Sequence, residues 1–288
     1  MVLVVGATGS LGQLITRSLL ARGADVRILV RQESAWESLK NAGAQVSIGD
    51  LKSRETLEAA CEGVDVVITT ANSALRGGAD NVVSVDTEGN RNLIDAAGHF
   101  KVEQFVFISA AGVTSDSPVP LFRAKALTEA YLREKRLPYT ILAPDAFMDV
   151  WFPMVVGPAL SGHPVTLIGQ GLRRHSFIAA ADVAAFATGS VGRAEAMNAH
   201  LSLGGPEAVS WRDVIATVGR ILDREIPIVT LAAGQKLPGL PEIVAELMAG
   251  LDTYDSVIPM TETATRFGVT PTSVDAFVRG MLAQRPAG

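Results

Sequence analysis

The chain has 288 residues, 48% of them hydrophobic and 19% charged, a composition that fits a folded protein with a sizeable core and not a disordered one. A net charge of −5 argues against nucleic acid as the main partner. No run approaches the ~20 apolar residues of a membrane span, and Met1 leads straight into a strand-like run that leaves no room for a signal peptide. The single cysteine, Cys61, rules out an internal disulfide or a thiolate zinc cluster, so no metal is expected. These features lead us to expect a cytoplasmic protein without membrane or nucleic-acid partners.

Val2 to Val5 is a short apolar run, followed by Gly6-Ala7-Thr8-Gly9-Ser10-Leu11-Gly12 and an amphipathic segment with Leu14, Ile15, Leu19 and Leu20 at helical spacing. A second apolar run, Val26 to Val30, ends on Arg31. Strand, glycine turn, helix, strand is the βαβ unit that binds dinucleotides. Gly6 lets the chain turn off the strand, Gly9 has no Cβ to block a pyrophosphate, and Gly12 lets the helix lie close to the sheet. The N–H groups at the helix start then face the phosphates, with Thr8, Ser10 and Leu11 as further contacts. The spacing is Gly-x-x-Gly-x-x-Gly, not Gly-x-Gly-x-x-Gly, and a purely structural turn is the competing reading.

A polar helical stretch, Ser34 to Asn41, ends at Gly43, a suitable C-cap. Gln45 to Ile48 reads as a strand running into Gly49-Asp50-Leu51. Ser53 caps a helix over Arg54 to Cys61. Val64 to Thr69 reads as a strand buried on both faces, opening into Thr70-Ala71-Asn72 and a Gly-rich loop, Ala74 to Ala79. A long helical pattern follows from about Asp80 to His99. Phe105 to Ile108 is the next buried strand, ending in Ser109; the helix Phe122 to Lys135 and the strand Pro138 to Leu142 follow. Six strands alternate with helices in about 145 residues, which predicts an open parallel sheet with helices on both faces and ligands at the carboxyl ends of its strands.

Beyond Phe147 the alternation weakens at Pro153, Pro158 and Pro164. Ile168 to Gly171 looks like a turn, Phe177-Ile178 leads to Ala181-Asp182-Val183 and an Ala-rich helix, and Leu201 to Leu203 is a candidate strand of the main sheet. Ser210 caps a helix to about Leu222, Ile226 to Leu231 suggests a strand, and Leu240 to Leu251 and Thr272 to Leu282 suggest helices. The expected organisation is a doubly wound α/β dinucleotide-binding domain over residues 1–150, with returns to the sheet at about 176–205. Residues 151–175 and 206–288 form a small C-terminal α/β lobe that covers the substrate.

Arg31 at the tip of the second strand lies where the adenosine ribose is expected. NAD-selective sites offer a carboxylate there, whereas a guanidinium pairs with a 2′-phosphate, so the pattern favours NADP(H) over NAD(H); a solvated surface arginine is the alternative. Asp50 and Leu51 follow the third strand, where adenine is expected, with Asp50 equally suited to cap the next helix. Thr70, Ala71, Asn72, Pro144 and Phe147, at later strand ends, complete the expected cofactor contacts.

Taken together, these residues resemble the atypical short-chain dehydrogenases, and within them the NmrA-like group. The resemblance rests on Gly6 to Gly12, Arg31, Gly49-Asp50-Leu51, Phe107-Ile108-Ser109, Lys125, Pro144 to Met148, Phe177-Ile178, Ala181 to Ala184 and Gly204-Gly205-Pro206, and spans about residues 1–222. It implies an NADP-binding Rossmann fold with a small C-terminal lobe, in a family of quinone reductases, isoflavone-reductase-like enzymes and regulators that bind the cofactor without turnover. Ordinary short-chain dehydrogenases carry a tyrosine four residues before the lysine. Here Leu121 stands there, and Tyr131 lies about 600° round the helix. Alcohol dehydrogenase or epimerase chemistry by the usual route is thereby disfavoured. Lys125 is either the acid, a ribose contact or a surface lysine, and Ser109 either a contact or a cap.

A quinone asks less of the protein, because hydride addition gives a stabilised hydroquinone anion that water can protonate. Phe147, Met148, Trp151 and Phe152 offer an aromatic wall for a flat substrate, or else form lobe core. His175 is a candidate acid, and Tyr254 a weaker candidate substrate contact. The leading expectation is an NADPH-dependent oxidoreductase of a quinone or other conjugated aromatic carbonyl. A non-catalytic NADP(H)-sensing regulator and an aromatic tailoring enzyme are the alternatives, and a homodimer is left open.

Overall fold

The structure is a computed structural model; it describes residues 1–74, 78–237, 239 and 242–283. Parts of the Gly-rich loop at 74–79 and the start of the helix expected from Leu240 lie outside the described residues. In chain order the first part comprises β1 (Val2–Val5), α1 (Ser10–Ala21), β2 (Val26–Val30), α2 (Glu37–Asn41), β3 (Gln45–Ile48), α3 (Arg54–Cys61) and β4 (Val66–Thr69). A π-helical segment, Val82–Gly89, runs into α4 (Asn90–His99), followed by β5 (Gln104–Ile108), α5 (Pro120–Glu134) and β6 (Tyr139–Pro144). The second part comprises α6 (Met148–Val155), α7 (Gly157–Leu160), β7 (Val165–Ile168), β8 (Arg174–His175), α8 (Ala180–Ser190), β9 (Ala199–Leu203) and β10 (Val209–Ser210). It ends with α9 (Trp211–Leu222), β11 (Ile228–Leu231), α10 (Glu242–Leu251), α11 (Thr261–Phe267) and α12 (Val274–Ala283).

Seven strands form the main sheet in the order β3-β2-β1-β4-β5-β6-β9, with β1 to β6 paired in parallel. The order reverses between β1 and β4, the switch point of a doubly wound Rossmann fold, where the carboxyl ends of the strands leave a crevice. Strands β1 and β4 are buried along their whole length, as two helical layers require. Leu57, Leu93, Ile94, Phe105 and Phe107 fill one side of the sheet, and Ser18 of α1 meets Thr188 of α8 at 3.4 Å on the other.

The chain divides into two compact units, residues Met1–Pro144 with Val183–Ser202, and Asp145–Asp182 with Leu203–Gly288. The return to the first unit is held by Gln104, whose amide donates to the Thr140 hydroxyl at 2.8 Å and the Ser190 carbonyl at 2.9 Å. His175, just before the return expected from about residue 176, pairs antiparallel with Val209 in a small sheet of the second unit. The strand expected at Ile226 to Leu231 pairs parallel with β7. In the second unit Trp151, Phe152, Phe177 and Trp211 form an apolar centre with Val214, Met248 and Val278.

Two local departures have visible causes. The helix expected from Ser34 starts only at Glu37 because residues 31–34 close a tight turn, Ser34 N–H to Arg31 carbonyl. The helix expected from Asp80 begins as a π-turn after Asn81, which caps Val83 and Ser84. The wider turn releases carbonyls of Val85 and Asp86, and the buried Asn90 amide donates to both at 3.3 Å.

Candidate functional site

The glycine turn separates structural need from ligand space. Gly6 has φ +81°, and a Cβ there would fall 2.6 Å from the Thr70 hydroxyl and 2.9 Å from the Ala71 N. At Gly12 it would fall 2.1 Å from the Gly6 carbonyl oxygen, so both glycines are required by the protein's own packing. A Cβ at Gly9 would meet only the Gly6 carbonyl, at 3.4 Å. Gly9 and Ser10 are exposed, Thr8 and Leu11 half-buried. No side chain caps α1 and no acid lies in its first turn, so its N–H groups and positive dipole end are open to an anion. This donor set fits a pyrophosphate, which explains a glycine at position 9 where the protein alone needs none.

Thr70, at the end of β4, donates to the Val5 and Gly6 carbonyls at 3.4 and 3.2 Å, bringing Ala71 beside the turn. Asn72 donates to the Thr70 carbonyl at 3.2 Å and accepts from the Ala74 N–H at 3.0 Å. Arg31 is partnered: its guanidinium donates to Asp80 at 2.7 Å and lies 3.3 Å from Glu33. Lys52 reaches the other oxygen of Asp80, also at 2.7 Å. Of the two readings of Asp50, the helix cap belongs instead to Ser53, which accepts from Thr56 N–H; Asp50 accepts from Lys52 N–H at 2.8 Å. Leu51 is 9% exposed and packs in the core against Gly89, leaving little of its surface for a ring.

Ser109 and Lys125 meet a buried charged cluster at the carboxyl end of β5. The Ser109 hydroxyl donates to Glu129 at 2.5 Å, so it is not a turn cap. Lys125 is 8% exposed and hence not a surface lysine. Its ammonium donates to the Ile108 carbonyl at 2.8 Å and lies over the Phe107 ring, 5.3 Å from its centroid. Burial pulls the Lys125 pKa down to about 8, against the opposing pull of Asp86 and Glu129. Burial raises the Asp86 carboxyl above its ordinary value although Ser73 N–H donates to it at 3.0 Å. Burial also raises Glu129, but His200, Ser109 and Arg133 together outweigh it and hold that carboxyl below the ordinary range; Arg133 lies 3.0 Å and the half-exposed His200 3.4 Å from it.

Sequence reasoning missed Asp86, Glu129, Lys52 and Asp80. Glu129 had a signal: it lies four residues beyond Lys125, on the same helical face. Asp86 and Asp80 had none, since their partners come from distant segments.

In the second unit the expected substrate residues divide. Met148 is fully buried and Trp151 is 9% exposed; Trp151 and Phe152 pack tilted and edge-on against Trp211, so of the two readings these three take that of lobe core. Phe147 is half-buried and pairs with Ile178. His175 is 0% exposed; its Nε2 lies 2.8 Å from the Leu251 carbonyl, which denies it the access a substrate acid needs. Tyr254 sits edge-on to His175, half-exposed, and burial raises its pKa. Pro144 closes β6 in the first unit.

A family model for NAD(P)H binding matches residues 6–193. The chain belongs to this family, the NAD(P)H-binding atypical short-chain dehydrogenases. This atypical short-chain dehydrogenase is 35% identical over 220 residues to the photosystem II assembly factor Ycf39 of Cyanophora paradoxa, covering 76% of this chain and 68% of that one. It is 28% identical over 253 residues to the NAD(P)H azoreductase of Xenophilus azovorans, covering 86% and 85%. It spans 58% of the length of the Synechocystis Ycf39. The NADPH complex of quinone oxidoreductase QOR2 from Escherichia coli shares its fold, with TM-score 0.83 at 21% identity over 98% of this chain and 100% of that one. Among the described residues no helix is long and apolar enough to cross a membrane.

Proposed function

We propose that this protein is an NADPH-dependent reductase of quinones or other conjugated aromatic carbonyl compounds. The observation that carries the reading is Lys125, a buried ammonium whose pKa lies near 8, in a chain with Leu121 where ordinary short-chain dehydrogenases carry their tyrosine acid. When bound, the reduced nicotinamide supplies a hydride. The protein's own part is simple. The N-terminus of α1 holds the pyrophosphate, and Arg31 selects the 2′-phosphate. Lys125 donates its proton to the hydroquinone anion left after hydride addition and is reprotonated from solvent, so the quinone gains a hydride and a proton overall. A stabilised hydroquinone anion is a weak base, so an acid with a pKa near working pH serves where a ketone would need more.

The likeness to the QOR2 structure supports this choice of substrate class, and the similarity to an NAD(P)H azoreductase supports NAD(P)H-dependent reduction of a conjugated aromatic compound. A second reading is a protein that binds NADP(H) without turnover and acts through a protein partner; the leucine at 121 and the similarity to Ycf39, an assembly factor, favour it. Loss of NADPH absorbance across a panel of benzoquinones and naphthoquinones separates the two. The reductase reading expects substrate-dependent oxidation, and tight NADPH binding with none overturns it in favour of the second.

A further inference from the structure

The ends of β2 and β3 bring two cations to one carboxylate. Arg31 Nη1 donates to Asp80 Oδ2 at 2.7 Å and Lys52 Nζ donates to Asp80 Oδ1 at 2.7 Å, so the two cations reach different oxygens. The Asp80 side chain is only 13% exposed, whereas those of Arg31 and Lys52 are 34% and 37% exposed. Asp50 lies 3.6 Å from Lys52 and Glu33 lies 3.3 Å from Arg31. Arg31 with its charge free would attract a phosphate dianion strongly; Arg31 paired through Nη1 with Asp80 attracts it less, because part of its charge is already matched and that contact must be exchanged.

We propose that the Asp80 carboxylate competes with the cofactor 2′-phosphate for Arg31, that Lys52 is the second cation of that subsite, and that NADP(H) binds by displacing Asp80 from both. The inference rests on the reading that Arg31 faces the 2′-phosphate. The phosphate presents oxygens to an ammonium and a guanidinium, as the carboxylate does, and carries more charge, so it can win the exchange. NAD(H) has a neutral hydroxyl at that position and leaves the Asp80 contacts intact. Asp80 therefore lowers the affinity for the phosphorylated cofactor and sets how strongly the protein prefers it, a specificity role for a residue that lies outside the glycine turn.

Titration calorimetry on the full chain with NADPH, NADH and 2′,5′-ADP tests this without catalysis. Asp80→Asn, with Asp80→Ser as a second variant and thermal melts as a control for folding, should bind NADPH and 2′,5′-ADP about tenfold more tightly and NADH within about twofold of the unaltered protein. Lys52→Ala should weaken NADPH and 2′,5′-ADP by a similar factor and spare NADH. If Arg31→Ala lowers NADPH affinity selectively but neither Asp80 variant raises it, displacement is wrong and the 2′-phosphate assignment stands. Equal losses of NADPH and NADH in Arg31→Ala overturn that assignment, and this inference with it.

Discussion

Lys125 owes its chemistry to its surroundings. In water a lysine stays charged to about pH 10.5, and such an ammonium is a poor acid at neutral pH. Buried on α5 against the Ile108 carbonyl, it gives up its proton near pH 8. The sign follows: the acid form is present below about pH 8 and is lost as pH rises through it. If Lys125 supplies the proton, kcat for quinone reduction should fall above pH 8, and Lys125→Met, which leaves protonation to water, should abolish that limb of the profile and lower kcat by less than the ~100-fold of an indispensable acid. A profile in Lys125→Met that keeps the limb assigns it elsewhere. Stability moves the opposite way over the same range. Between about pH 8 and 10.5 the unfolded chain binds the proton that the folded one has lost, so folding stability rises with pH there.

At the scale of elements, α1 and α9 show two ways to start a helix. In α9, Ser210 and Asp213 form a reciprocal capping box: Asp213 N–H donates to the Ser210 hydroxyl at 3.2 Å, and Ser210 N–H donates to Asp213 at 2.9 Å. The start of α1 has no such cap, which costs local stability and leaves an anion site. Ser210→Ala should cost about 1 kcal/mol, read as a lower urea midpoint for the helical signal. The Asp213 carboxyl is held low first by the Ser210 hydroxyl, so its contribution is complete above the ordinary carboxylate value of about 4 and is lost as pH falls below it. The sequence announces both starts, Ser210 three residues before Asp213 and Gly9 before an amphipathic run, because capping is local. It does not announce the π-turn at Val82–Gly89, whose opened carbonyls depend on a side chain in the next helix.

At the scale of the molecule, each unit has its own apolar centre, so damage should be readable separately. Phe152 is fully buried, with Phe177, Trp211 and Phe277 rings 5.4, 5.9 and 5.5 Å away. Phe152→Ala should destabilise the second unit by about 3–5 kcal/mol. Trp151 and Trp211 lie in that same cluster, so a shifted tryptophan-fluorescence transition is the measurement. A cost below about 1 kcal/mol would mean that the aromatic ring is not part of a close-packed core.

The sequence by itself determined the first strand, the glycine turn, the helix after it and the alternation that makes a doubly wound sheet, since these are set by neighbours within a few residues. It also placed Arg31, Ser109 and Lys125 at strand ends or on the following helix. Only the tertiary structure decided what those side chains face. Asp80 lies 49 residues from Arg31 and 28 from Lys52, and Glu129 lies 20 from Ser109. Such pairs depend on which strands the sheet order makes adjacent, and that order is fixed by the packing of the whole unit. The same holds in the second unit, where β7 pairs directly with β11 from far along the chain and Trp151 is buried in the core. Short-range pattern carries the backbone's periods, while burial and partnership are properties of the folded surface, which no local stretch of sequence encodes.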